Sequence, residues 1–234
     1  ITADAMVVVG YGQIIPQSII DLPRLGIVNV HASLLPKYRG AAPIQWAIAN
    51  GETITGVTTM QIDAGLDTGG ILMTKEVPIG PEETAPELSS RLSVTGANLL
   101  VTTLTGLQDG TLRAVPQNPA EATAAPILTK EHGRIDWTFS AAPIANRIRG
   151  FLPWPGCYTE FREQTLHIWR ARVSEQSSTG RPGTVITDRR RFLVRCAHGS
   201  VLEVLEVQSE GRKRMPADAF RNGVRLDSDE QLGI

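Results

Sequence analysis

The sequence predicts an α/β fold, an open sheet in its first half, followed by a small all-β unit in its second. Three observations carry that reading. Short apolar runs alternate with helix-like segments up to about residue 110. A Pro- and Ala-rich stretch then breaks the pattern. Beyond it, five short strand-like runs are divided by turn signals.

Ala5 to Val9 is an apolar run closed by Gly10, as expected of a buried parallel strand. Tyr11-Gly12-Gln13 makes a loop, and Pro16 opens a brief helix ending near Leu22-Pro23. A second strand covers Gly26 to His31. Pro43 suits the first turn of a helix through Ile48, stopped by Gly51. Strands at Val57–Ile62 and Ile71–Val77 follow. Thr84 and Glu87 have capping-box spacing. The helix behind them places Leu88, Leu92, Leu99, Leu100, Leu104 and Leu107 largely on one face and ends at Gly110. A full doubly wound sheet needs more strands than these. The chain opens on Ile1 rather than Met and almost at once enters a strand, so the remaining strands are expected upstream.

Residues 113–130 read as a linker, with Val115-Pro116-Gln117-Asn118-Pro119 and the Ala-rich run to Pro126 as its core. This gives a first domain over 1–112, a linker over 113–130 and a second domain over 131–234. The second domain has a helix at Ala141–Arg149 and strands at Tyr158–Phe161, Leu166–Val173, Thr184–Thr187, Phe192–Cys196 and Val201–Val207. Five short strands in a small basic unit suit an open barrel of the oligonucleotide-binding kind.

Composition excludes several classes. With 41% hydrophobic and 20% charged residues and a net charge of −1, the 234-residue chain is neither disordered nor fibrous. No run of about 18 apolar residues exists to span a membrane. Cys157 and Cys196 lack C-x-x-C spacing and a histidine partner, so no metal site is expected; they read as idle thiols in a reducing compartment. His132, His167 and His198 lack ligand spacing and read as surface or turn residues. Gly10-Tyr11-Gly12 is not a dinucleotide fingerprint, because Ile15 stands where the third glycine belongs. Charge is uneven: residues 1–130 carry 7 Lys+Arg against 11 Asp+Glu, and residues 131–225 carry 16 against 10. The basic second half is therefore the part suited to phosphates.

Chemistry concentrates between Val28 and Gly70. Asn29 and His31 are two apart on a strand, so both leave one face near its carboxyl end, where open α/β sheets place ligands. Ser33-Leu34-Leu35-Pro36 forms a tight apolar loop, and Lys37-Tyr38-Arg39-Gly40 adds positive charge. The loop Asp63 to Gly70 is expected to leave the next strand's carboxyl end and bring Asp67 toward His31. An amide, an imidazole and a carboxylate without a nucleophilic Ser or Cys point to direct group transfer. The amide stabilises a developing oxyanion, while the imidazole handles charge or proton under the carboxylate's influence. Taken singly, each of these residues also fits a purely structural role.

The segment Asn29-Val30-His31-Ala32-Ser33-Leu34-Leu35-Pro36-Lys37-Tyr38-Arg39-Gly40-Ala41-Ala42-Pro43-Ile44-Gln45 resembles the signature of the 10-formyltetrahydrofolate-dependent transformylases, and Asp63 to Gly69 resembles their second signature. The resemblance implies a Rossmann-like formyltransferase sheet followed by an OB-like domain, with 10-formyltetrahydrofolate as formyl donor and no metal. It implies a catalytic triad of Asn29, His31 and Asp67. Donor contacts are implied at Ser33, Leu34, Leu35, Pro36 and Asp63, and at the loop residues Tyr11, Gly12, Gln13 and Ile15. The Asp-Ala-Gly-Leu-Asp-Thr-Gly loop, Lys130 to Trp137, Pro153-Trp154-Pro155-Gly156 and Glu210 to Met215 are similar to the branch acting on methionyl initiator tRNA. That branch implies a cytoplasmic enzyme of translation initiation, or an organellar form, with no obligate protein partner. Arg39, Lys130, Arg189, Arg190, Arg212, Lys213 and Arg214 are the candidate tRNA contacts. Gly70 departs from the acidic residue many members carry, and the family's first strands and a tRNA-reading loop are expected upstream. Two other readings stay open: a non-catalytic RNA-binding module, and a formyltransferase for a small amine.

Overall fold

The computed structural model describes residues 3–187 and 191–233. They divide into two compact units, one comprising residues 1–47 and 52–127 and the other 48–51 and 128–234.

The first unit is built on a four-stranded sheet. Strand β1 (Met6–Val8) lies parallel to β2 (Ile27–His31), with helix α1 (Gln17–Ile20) between them. After helix α2 (Pro43–Ala49), β3 (Ile54–Gln61) pairs antiparallel with β2, and β4 (Ile71–Pro78) pairs antiparallel with β3. The sheet is therefore mixed, in the order β1-β2-β3-β4. β1 has the parallel pairing its composition predicts. Among the described residues β2 is its one strand neighbour, and Val7 is 42% and Val9 66% exposed.

Helix α3 (Ala85–Gln108) covers β3 and β4. Its start is fixed as expected, since Glu87 Oε2 accepts from the Thr84 backbone N–H at 2.9 Å and from the Thr84 hydroxyl at 2.7 Å. Its buried residues are Ala85, Leu88, Leu92, Gly96, Leu99, Thr103 and Leu107, a row spaced by threes and fours. Thr103 sits fully buried in that row because its hydroxyl meets Thr59 Oγ1 at 2.8 Å and its own helix carbonyl at Leu99. At Gly96 the helix lies close on the sheet: a Cβ there would lie 3.0 Å from Val30 Cγ1 and 3.5 Å from Val57 Cγ1.

Between Arg113 and Ile127 the chain lies along the first unit rather than hanging free of it. Val115 and Ile71 exchange backbone hydrogen bonds at 2.8 Å. Arg39 N–H donates to Thr123 O, Ala125 N–H donates to Arg39 O, and Ala125 is fully buried. A Pro-rich composition read as a tether is here a strap, because its carbonyls and amides find partners on the unit it crosses.

In the second unit, helix α4 (Ala141–Gly150) packs on an antiparallel sheet of β5 (Cys157–Phe161), β6 (Gln164–Val173), β7 (Val185–Thr187), β8 (Phe192–Arg195), β9 (Val201–Ser209) and β10 (Met215–Pro216). The order is β5-β6-β9-β8-β7, with β10 also paired to β9. β10 and helix α5 (Ala217–Val224) have no counterpart in the sequence reading. The helix is only two turns long, and it is held by tertiary packing. Its Phe220 stacks on Phe192 with centroids 6.0 Å apart and meets Phe161 edge-on at 5.6 Å. Arg189 and Arg190 lie outside the described residues.

Two predictions follow from this packing. Gly96→Leu gains up to about 1 kcal/mol of helix propensity, but overpacking against Val30 should cost about 1–3 kcal/mol. A net loss is expected in urea unfolding, and an unchanged midpoint would mean that α3 is not seated on Val30. Cys157 and Cys196 are both 2% exposed, and burial pushes each thiol up to about 12. Since the thiolate is the reactive form, iodoacetamide at mildly alkaline pH should label neither residue in the native protein and both in denaturant.

Candidate active site

Asn29 and His31 share a face of β2, as the alternation of a strand requires. His31 is 6% exposed, and its Nε2 lies 2.8 Å from the carbonyl oxygen of Tyr38. A carbonyl only accepts, so Nε2 carries the hydrogen and donates it. In the neutral ring Nδ1 is then the lone-pair nitrogen. It faces Asp67 Oδ2 at 3.7 Å, close enough for charge attraction but too far for a hydrogen bond. Asp67 Oδ2 accepts the Gly40 N–H at 2.9 Å, and the Asn29 amide donates to Oδ1 over a long 3.4 Å. One carboxylate thus meets an amide, an imidazole and a backbone N–H within a mostly buried cluster.

Asp67 reaches this cluster by a route the sequence does not predict. β2 and β3 are antiparallel, and Gln61 at the end of β3 pairs with Val28 while His31 pairs with Thr58. The loop after β3 therefore starts beside the early part of β2, not at the end carrying His31. It folds back along the sheet, with Asp67 in the left-handed region at φ 51°. Asp63, expected to touch a donor, is spent inside this loop: its Oδ1 accepts from the Thr68 hydroxyl at 2.7 Å and from Gly65 N–H at 3.0 Å.

Gln117 holds the other side of the loop. Its Nε2 donates to the carbonyls of Asp67 at 2.9 Å and Gly69 at 2.8 Å, while its Oε1 accepts two N–H bonds from Arg39 at 3.0 and 2.7 Å. No signal in the sequence singles out this glutamine. Its partners lie about 50 and 78 residues away.

The segment from Ser33 to Pro36 is mainly a built turn. The fully buried Ser33 hydroxyl donates to Lys37 O at 2.6 Å, and the buried Thr58 hydroxyl accepts from Leu35 N–H and donates to Ser33 O. Leu35 is buried; Leu34 and Pro36 are the partly exposed members. Tyr11, Gly12 and Gln13 are exposed and Ile15 is half-buried, all in the loop before α1, and none shares a hydrogen bond with the Asn29–His31–Asp67 cluster among the described residues. Lys130, Arg212, Lys213 and Arg214 belong to the second unit and are exposed.

A family model described as formyl transferase matches residues 1–104, and one described as formyl transferase, C-terminal domain, matches residues 127–225. The methionyl-tRNA formyltransferase of Solibacter usitatus is 60% identical over 233 residues, covering all of this chain and 74% of the relative. The chain belongs to the methionyl-tRNA formyltransferase family. The enzyme of that name from Koribacter versatilis is 58% identical, again over all of the chain and 74% of its own length. Among solved structures, HypX from Aquifex aeolicus in complex with tetrahydrofolic acid shares the fold, with a TM-score of 0.69 at 17% identity over 97% of this chain and 40% of that one.

As a member of this formyltransferase family, the chain offers a direct test of the glutamine. Gln117→Glu keeps an acceptor for Arg39 but sets a carboxylate against two carbonyl oxygens. Displacing Asp67 by a fraction of an ångström to an ångström should lower turnover by roughly 10- to 100-fold without unfolding the protein. Normal turnover in the folded variant would show that Asp67 is held without Gln117.

Proposed function

We propose that Asn29, His31 and Asp67 carry out formyl transfer from 10-formyltetrahydrofolate to the amino group of methionyl initiator tRNA, the reaction by which the family serves translation initiation. The observation that carries the residue roles is the pinned tautomer: the Tyr38 carbonyl holds the Nε2 hydrogen, so His31 presents Nδ1 as a proton acceptor beside a carboxylate.

The donor supplies the formyl carbon. Asn29 uses one amide hydrogen toward Asp67 and has a second for the formyl oxygen, where negative charge develops as the amine attacks. His31 takes the amine's proton at Nδ1. The imidazolium so formed faces Asp67 Oδ2, which is held in place by the Gly40 N–H it accepts. The proton can then pass to the folate nitrogen as its bond to the formyl carbon breaks. Leu34 and Pro36 line the donor side, while Ser33, Leu35 and Asp63 act by shaping the loops that hold it. Tyr11, Gly12, Gln13 and Ile15 complete the pterin pocket.

The relative that holds tetrahydrofolic acid supports the donor class, and the names of the 60% and 58% identical relatives support the tRNA acceptor. We take 1–112 as the catalytic domain, 113–130 as the connection and 131–234 as an OB-like tRNA-binding domain. The short antiparallel strands and the excess of basic side chains in the second unit fit that role. We assign Arg39, whose guanidinium is held by Gln117, to the acceptor contacts, and the cytoplasm to this activity as its compartment.

The reading is tested by offering formyl donor with methionyl initiator tRNA and, separately, with small amines such as amino sugars. Transfer only to the small amines would overturn it. Asn29→Ala should lower turnover roughly 10²–10³-fold with little change in donor affinity, because the amide acts mainly in the transition state. His31→Ala and Asp67→Asn should each cost roughly 10²–10⁴-fold. Since Asp67 works through His31, the double variant should lose much less than the product. Fully multiplicative losses in folded enzyme would give Asp67 a separate task.

A further inference from the structure

His167, a surface histidine in the sequence reading, stands in a row of rings on the outer face of the β5–β6 hairpin. It pairs across the strands with Tyr158, their rings 5.8 Å apart, and stacks nearly parallel on Trp169 at 5.6 Å with a 14° interplanar angle. Each end of the row carries a cation. The Lys130 ammonium lies 5.9 Å from the Tyr158 centroid, and the Arg214 guanidinium lies 3.5 Å from that of Trp169. Two of the basic residues singled out from sequence, 84 positions apart, are thus brought to one surface feature.

These two cations differ from three arginines of the same unit. Arg162, Arg172 and Arg195 of the same unit are engaged by Glu230, Glu203 and Asp229 at 2.7–3.1 Å. Among the described residues neither Lys130 nor Arg214 has a carboxylate within salt-bridge reach; each rests on a ring. A guanidinium that spends its face on a ring keeps its N–H donors for other acceptors, the arrangement suited to a phosphate. The row is also fastened. Trp169 Nε1–H donates to Gln208 Oε1 at 3.0 Å, and Gln208 Nε2 donates at 2.8 Å to the carbonyl of Arg212, two residues before Arg214. Gly156 gives Trp169 its room, since a Cβ there would lie 3.2 Å from the indole. Burial, reinforced by Lys130 and Arg214, holds the His167 ring below the usual histidine range, so the middle of the row stays uncharged at neutral pH.

We propose that Tyr158, His167 and Trp169 form a rail that presets Lys130 and Arg214 as two phosphate contacts for the backbone of the tRNA substrate. The proposal rests on the tRNA acceptor named above. Arg212 and Lys213, which have no ring beneath them among the described residues, are accessory to it.

The test measures the affinity of the whole protein for methionyl initiator tRNA between about 50 and 200 mM salt, where phosphate contacts dominate the slope. Arg214→Ala and Lys130→Ala should each weaken binding and reduce the slope of log affinity against log salt by roughly one. Trp169→Leu removes the ring but keeps the guanidinium, so affinity should fall several-fold at an unchanged slope. Trp169→Phe retains a ring and should bind within about twofold of the parent. An unchanged slope in either cation variant, or parental affinity in Trp169→Leu, overturns the rail while leaving the proposed function intact. Absence of formyl transfer to tRNA by the parent protein would instead overturn the function.

Discussion

One carboxylate, that of Asp67, is satisfied by groups from two separate stretches of chain, and its placement fixes the geometry of the rest of the site. Gly40 N–H and the Asn29 amide bond to it, and His31 Nδ1 faces it. A carboxylate this shielded is costly unless paired and hydrogen-bonded. The turn after β2 and the loop after β3 are therefore bound to each other through it. If Asp67 moved outward, His31 would lose its charge partner and Asn29 its anchor in the same step. The loop's left-handed residue and its internal Asp63 brace serve to keep that carboxylate turned inward.

The Tyr38 carbonyl supplies the second constraint. By accepting from Nε2, it fixes which nitrogen of His31 faces Asp67, a choice the imidazole cannot make alone. The strap at 113–127 then stabilises both halves of the arrangement. Thr123 hydroxyl accepts from Tyr38 N–H at 2.9 Å, holding the residue whose carbonyl orients the histidine, and Gln117 holds the backbone of Asp67. A segment outside the sheet thereby holds both the residue that orients His31 and the backbone of Asp67.

What was legible in the sequence was local or periodic. The two-residue spacing of Asn29 and His31, the Thr84–Glu87 cap and the leucine face of α3 follow from strand and helix geometry and appear where that geometry puts them. What was not legible depends on register or long-range pairing. The antiparallel join of β2 to β3 reverses where the Asp67 loop begins, and neither strand's composition reports direction. Tyr158 and His167 become neighbours only once the β5–β6 register is known. Gln117 sits in a Pro-rich stretch whose composition signals a linker, and short-range rules carry no information about its four bonds to Arg39, Asp67 and Gly69.

Gly40 shows how tightly these demands overlap. Its φ of 122° lies in a region that L side chains rarely adopt, and a Cβ there would lie 2.6 Å from the Ala125 carbonyl. The same residue must turn its N–H toward Asp67 Oδ2. Any side chain would push against the strap on one side or rotate the N–H off the carboxylate on the other. The strap cannot yield cheaply, because Ala125 is fully buried and its N–H and C=O bond to Arg39 and Ala42. Glycine at 40 is thus required for two reasons that act on different atoms. The close approach that lets residues 123–125 pair with the turn is the same one that aims a backbone donor at the Asp67 carboxylate, so the packing of the strap and the electrostatics of the cluster are set by one backbone position.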